Sequence, residues 1–432
     1  MSSSWLRDHE ILLHIGVHKT GTSSIQATMA ACRAQMLAQG VLYPGTSNNH
    51  LRAAHAALGR RRGWTGTPVP MSRWQQLVAS AQSDDGKAVL SAEVLCEAKP
   101  QDIRRILEDL GPRTKALITL RPLEAIIPST WQQYVKAGNT HPYGEWLENV
   151  LSGPRQSTLT PSFWRRNDHG RVVTRWVEVF GSDRVAILMV DSSQPRSIYD
   201  GFEDIIGLSR NTLQAQTERN RSMSAEEVEL IRRLNERIKV DLPYKTYDAV
   251  VRTSLHTMIE QRRPGPDEDK LIVPGWAVER AREFGAEAVE RIKATGVTVF
   301  GDLQALVPTG PITAGDLPDP PDVVPIDAVA LLMEHMIRAA IELNERPAEQ
   351  PKVQRAKQPK VQPADAAPVT KGLAPGPAPG NAPVPRPRTN GELAVSLLRD
   401  LKTPRKFADR IANKARRERR KLAHRMRARV SR

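Results

Sequence analysis

A short, mostly apolar run, Ile11-Leu12-Leu13-His14-Ile15, ends in Gly16-Val17-His18-Lys19-Thr20-Gly21-Thr22-Ser23-Ser24. After it, Ile25, Met29, Cys32 and Met36 recur at helical spacing. The run is too short for a core helix, so the pattern predicts strand, turn and helix. A turn of this kind aims unpaired backbone N–H groups and the positive end of a helix dipole at one point, which makes a socket for a phosphate-like anion. Gly16 and Gly21 permit close backbone approach to that anion. Lys19 adds a formal charge, and Thr20, Thr22, Ser23 and Ser24 add hydroxyls.

Residue order narrows the ligand. A Walker A loop places Lys and Ser/Thr directly after its second glycine, where the hydroxyl holds Mg²⁺. Here the lysine precedes Gly21 and Thr22 follows it, which weakens a nucleoside triphosphate reading. A Gly/Ser/Thr turn can also do no more than join a strand to a helix.

Further along, Lys87-Ala88-Val89-Leu90-Ser91-Ala92-Glu93 reads as a short buried strand with a polar exit, and Ile103, Ile106, Leu107 and Leu110 as a helical stripe closed by Gly111-Pro112. Lys115 to Leu120 is another strand, ending at Arg121. Strands alternating with helices of this length predict an α/β fold, a parallel sheet flanked by helices, with active residues at the strands' C-terminal ends. From Arg121-Pro122 the chain enters a helix over Leu123 to Val135 that carries Ser129, eight residues after the arginine. The planar fork of the arginine and the hydroxyl of the serine can converge on one anion.

The Lys-Thr-Gly-Thr-Ser-Ser loop resembles the 5′-phosphosulfate loop of sulfotransferases that use 3′-phosphoadenosine-5′-phosphosulfate (PAPS), and Arg121-Pro122 with Ser129-Thr130-Trp131-Gln132 resembles their 3′-phosphate site. The stretches Arg175–Gly181, Arg184–Asp191, Phe202–Leu208 and Asn220–Ser224 are similar to later landmarks of the bacterial-type members. The resemblance covers about residues 10–305. It implies a P-loop-like sulfotransferase fold and assigns His18, Lys19, Thr20, Gly21, Thr22, Ser23, Ser24, Arg121 and Ser129 to the co-substrate PAPS. The Arg-Lys-Gly triplet with which cytosolic animal-type members also hold the 3′-phosphate does not occur here, and Arg219 or Arg221 stands as its substitute.

Sulfuryl transfer needs an in-line acceptor hydroxyl, a group that takes its proton, and a cation where charge gathers on the leaving phosphate. Lys19 is placed for the last role, so no metal is called for. Glu93 lies on the segment that resembles the place where animal-type members carry their catalytic histidine, and other members use glutamate there. His50, whose titration range suits proton abstraction near neutrality, is the alternative base. The implied reaction is transfer from PAPS to a hydroxyl, of a glycan or glycolipid by likeness to bacterial members. The other readings are a P-loop kinase or NTP hydrolase, and a noncatalytic tethering protein.

Residues 391–432 hold fifteen Lys or Arg against four Asp or Glu, so most of the net charge of +15 belongs to this segment. Phe407, Ile411, Ala415, Leu422, Met426 and Val430 fall near one helical face there, the profile either of a solvated, partly helical basic tail or of a helix docked on an anionic membrane surface or partner, with nucleic acid a weaker candidate. Eleven prolines between Pro347 and Pro387 predict a disordered linker over 347–390. Ahead of it, 306–346 reads as an extension whose apolar helix, Ile326 to Leu343, docks on the sulfotransferase domain of residues 1–305. With no transmembrane run and no signal-peptide core near the start, the protein is expected in the cytoplasm, at the inner face of the membrane if the tail docks. Cys32 and Cys96, the two cysteines, read as reduced, buried thiols.

Overall fold

The computed structural model describes residues 4–61, 66, 68–83, 86–155, 160, 162–191, 193–194, 196–215, 221–238, 242–312, 315–317 and 319–345. The Pro-rich segment, the basic segment and Arg219 lie outside them. Six strands, β1 (Ile11–His14), β2 (Val41–Leu42), β3 (Lys87–Ser91), β4 (Thr114–Leu120), β5 (Val185–Met189) and β6 (Thr298–Phe300), form one sheet in the order β2-β3-β1-β4-β5-β6. Every pairing is parallel, and His14 lies opposite Ser91 on one side and Leu117 on the other. This is an α/β fold, a parallel sheet flanked by helices.

Alternation of side chains along buried strands divides the apolar residues between two faces. Leu13, Leu90, Ile118 and Ile187 pack on one, and Leu12, Val89, Leu117 and Ala186 on the other. A third cluster is helical, built around Trp131, Trp146, Phe163, Val228 and Ile231. Ala328 and Leu332 of the helix Ile326–Glu345 are buried in it. The chain divides into two compact units, Met1–Met336 and Ile337–Arg432, and of the second only residues 337–345, the end of that helix, are described. Among the described residues no helix is long and apolar enough to cross a membrane.

From β1 the chain runs outward to β2 and β3, then crosses back over β1 to β4. The strand order therefore reverses around β1, the place in an open parallel sheet where a crevice opens beyond the strand ends.

One local reading changes: the helix carrying Ile25 to Met36 is broken at Cys32 into Thr22–Ala31 and Arg33–Leu37. The strand β6 carries no sequence signal, because three residues that are at best half-buried leave no period to read.

Candidate functional site

Lys19, Arg121 and Glu93 follow the C-terminal ends of the neighbouring strands β1, β4 and β3. Beyond β1 the loop keeps pairing with β4: Ile15 N–H donates to Leu117 O (3.0 Å), Thr119 N–H to Gly16 O, and Val17 N–H to Thr119 O (2.9 Å). Gly16 has φ +90°, and a Cβ there would stand 3.0 Å from Glu93 Cβ and 3.1 Å from Glu93 Cα. The glycine lets the loop and the Glu93 segment touch. Lys19 holds φ +65°, a conformation that a side chain with a Cβ adopts only under constraint and that gathers at ligand-binding loops. Arg121 supplies part of the constraint, since its Nη1 donates to Lys19 O (3.1 Å). Gly21, in the left-handed region, gives the following helix no side-chain cap, so the helix presents its first-turn amides to the loop.

Beneath the loop runs a line of polar contacts whose direction can be worked out. Thr20 donates its one hydroxyl proton to Val17 O (2.8 Å), so across 2.6 Å it is Thr119 that donates to Thr20 Oγ1. Thr119 must then accept from His14 Nε2 (3.2 Å), and His14 Nδ1 accepts from the Ser91 hydroxyl (2.8 Å). Gln26 Nε2 closes the line, donating to Ser91 Oγ (3.0 Å) and to Glu93 Oε2 (3.0 Å). The scheme needs a neutral imidazole. Burial provides it, pushing His14 down to about 4 against the opposing pull of Glu93. Glu93 and the loop are thus held in one frame.

Beside this frame, the Glu97 carboxylate, with a side chain 1% exposed, receives Arg166 Nε (2.7 Å), Arg165 Nε (2.9 Å) and Arg60 Nη1 (3.0 Å), and lies 3.5 Å from His18 Nε2. Burial raises such a carboxyl, but the His18 contact and the guanidinium groups of Arg166 and Arg60 outweigh it and hold Glu97 well below the usual range. Burial holds His18 low, hence neutral. Lys19 is depressed by burial, partly restored by Glu93 and pushed further by Arg166. Lys136, at the end of the helix Leu123–Lys136, is pushed down to about 8 by burial, with Lys19 and Arg221 adding repulsion. The loop therefore lies among cations, as an anion site requires.

The expected ligand residues divide. Lys19, Gly21 and the exposed Ser23 lie in the loop or the first helical turn, whereas Thr20 turns its hydroxyl inward, Thr22 is buried, and Ser24 Oγ meets Tyr199 OH at 2.6 Å. Ser129 Oγ donates to Ile126 O (2.9 Å) on the helix that starts just after Arg121. Arg221 forms an ion pair with Glu227, reaching Oε2 and Oε1 at 2.7 Å each. His50 lies close by, but its Nδ1 accepts from Ser91 N–H (3.0 Å) and its Nε2 donates to Pro44 O (2.8 Å), leaving it no lone pair for a proton. Among the described residues no three His, Cys, Asp or Glu side chains converge as metal ligands. Sequence reasoning missed Gln26, His14, Thr119, Glu97, Arg166 and Lys136. Gln26 and His14 leave a trace, each a polar residue set among apolar ones.

No protein family model matches the chain, and no curated protein does. Among solved structures, a sulfotransferase from Alicyclobacillus acidocaldarius is similar, with 16% identity and a TM-score of 0.39, over 67% of this chain and 95% of that one.

Proposed function

We propose that the chain is a sulfotransferase that moves the sulfuryl group of PAPS to an acceptor hydroxyl, of a glycan or glycolipid by sequence resemblance. The observation that carries this reading is the convergence of Lys19, Arg121 and Glu93 beyond three adjacent strands, with Arg121 on the Lys19 carbonyl and Gln26 on the Glu93 carboxylate. The loop fits a 5′-phosphosulfate: its glycines admit close approach, an uncapped helix start faces it, and the Lys19 ammonium, which feels the Glu93 charge, makes no ion pair at contact distance among the described residues.

PAPS supplies the sulfuryl group, and the chain supplies position and charge. Lys19 and the helix amides neutralise charge that accumulates on the departing 5′-phosphate. Arg121 takes the 3′-phosphate, and Ser129 joins it once its hydroxyl turns away from Ile126 O. Glu93, steered by Gln26, accepts the acceptor's hydroxyl proton as the new O–S bond forms and the S–O bond to the phosphate breaks.

Calorimetry tests the donor. 3′-Phosphoadenosine-5′-phosphate should bind without metal and much more tightly than 5′-AMP or ATP·Mg²⁺. Arg121→Gln should weaken it by about 10- to 150-fold, as expected for a charge-assisted hydrogen bond of about 1.5–3 kcal/mol, with 5′-AMP much less affected. Equal affinity of the wild-type chain for 5′-AMP removes the 3′-phosphate assignment. In the same assay series Glu93→Gln should keep nucleotide affinity while losing turnover.

A further inference from the structure

Glu97 is surrounded by more positive charge than its own neutralisation requires. One buried carboxylate is matched by one arginine; here three guanidinium groups reach it within 2.7–3.0 Å. Three like charges around one anion repel each other, so the fold carries a standing electrostatic cost at this point. The bonds are also made in an unusual way. Arg165 and Arg166 each use only Nε on Glu97, and among the described residues their Nη groups have no partner. Arg165 is 49% and Arg166 27% exposed along the side chain. Their unused guanidinium edges are the part of an arginine that grips an oxyanion with two parallel N–H bonds. Arg60, with Nη1 on Oε2 and Nη2 on the Glu97 carbonyl (3.2 Å), holds the carboxylate from the third side.

The cluster is attached to the reaction frame. Glu97 ends the same short 3₁₀ helix, Glu93–Glu97, that Glu93 begins, and His18, beside Lys19 in the loop, meets Glu97 at 3.5 Å. The charge of Arg166 is felt at Lys19. Arg121 and Ser129 follow a different strand, β4. The arginine pair therefore adjoins the base and the loop through the Glu93–Glu97 segment that follows β3.

We infer that the acceptor is anionic, presenting a carboxylate, a phosphate ester or a sulfate ester to Arg165 and Arg166 while its hydroxyl meets Glu93. This rests on the sulfotransferase reading and names the class of its acceptor. Glu97 acts as a positioning residue that fixes the arginine pair.

The test uses the full chain, with and without saturating 3′-phosphoadenosine-5′-phosphate, and follows binding of methyl glucuronide, glucose 6-phosphate, glucose 6-sulfate and methyl glucoside by ligand-observed NMR. At least one anionic sugar should bind about tenfold or more tighter than methyl glucoside, the margin that a bidentate charge-assisted contact supplies, and which one wins identifies the oxyanion. Arg165→Gln, which leaves Arg166 and Arg60 on Glu97 and so keeps the fold, should remove most of that preference. The R165K/R166K variant, which keeps the charge and loses the fork, should reduce it. Nucleotide affinity should be unchanged in both. Equal binding of all four sugars, or a preference that survives both variants, overturns the inference, and so does a parallel loss of nucleotide affinity, which would place the arginines in the donor site. Failure of the wild-type chain to bind the nucleotide sinks the sulfotransferase reading instead, while the sugar preference measured without nucleotide still decides whether the arginine pair takes an anion.

Discussion

Replacing Glu97 by glutamine keeps the shape of the side chain and removes its charge. Three guanidinium groups at 2.7–3.0 Å then face a neutral amide whose NH₂ end can only repel them. Breaking a buried ion pair from one side costs about 3–5 kcal/mol. The arginines here are 27–49% exposed along their side chains, so water recovers part of that, and a loss of about 3 kcal/mol at pH 7 is expected. The pH dependence gives a sharper signature. Glu97 is held well below its unfolded value of 4.5, so between those values the unfolded chain binds a proton that the folded chain does not. Stability therefore rises with pH in that window and is lost as the pH falls through it, with a slope of up to about 1.4 kcal/mol per pH unit for one proton. The Glu97→Gln chain lacks this contribution. Its deficit against wild type, read from urea midpoints by tryptophan fluorescence, should be full at pH 7, begin to close below pH 4.5, and shrink further by pH 3. A deficit that is constant or grows on acidification, or no deficit at pH 7, refutes the reasoning.

Gly16→Ala puts a Cβ 3.0 Å from Glu93 Cβ at φ +90°, a strain of about 1–2 kcal/mol. Turnover should fall at least tenfold and the urea midpoint should drop in line with that strain, and an unchanged kcat contradicts the close approach. Thr119→Val removes the middle of the polar line and leaves the buried His14 Nε2–H unmet, at a cost of about 1–3 kcal/mol, measurable as a lower thermal midpoint; no change would contradict the assigned direction of the line. Lys136, pushed down to about 8, should show acylation by a small anhydride, followed by mass spectrometry, that levels off above pH 8, while exposed lysines keep accelerating toward about 10.4. Because the folded chain favours its neutral form, the penalty from Lys136 is present below pH 8 and relieved as the pH rises toward the unfolded value.

The parts of this molecule that a reader of the sequence can find are those encoded within one contiguous stretch. The β1 run, its glycines and the following helical stripe all lie within residues 11–36, and Arg121 stands just ahead of the helix Leu123–Lys136 that carries Ser129 eight residues later. What escapes is assembled from distant segments. Glu97, Arg60 and Arg165 come from three parts of the chain, and nothing in their local patterns distinguishes them from surface charge. His50 qualifies as a base by residue type, yet the end of β3 supplies the N–H that occupies its Nδ1, a neighbour set by tertiary packing alone. The strands β2 and β6 have two and three residues, too few for any periodicity, and exist because a sheet already present offers them an edge.

The imidazole of His14 has a consequence for how this protein meets acid. Since it gains a proton only near pH 4, the lattice of hydroxyls beneath Lys19 keeps one arrangement throughout neutral and mildly acidic solution. Curvature in a rate profile between pH 5 and 8 therefore originates in groups other than His14.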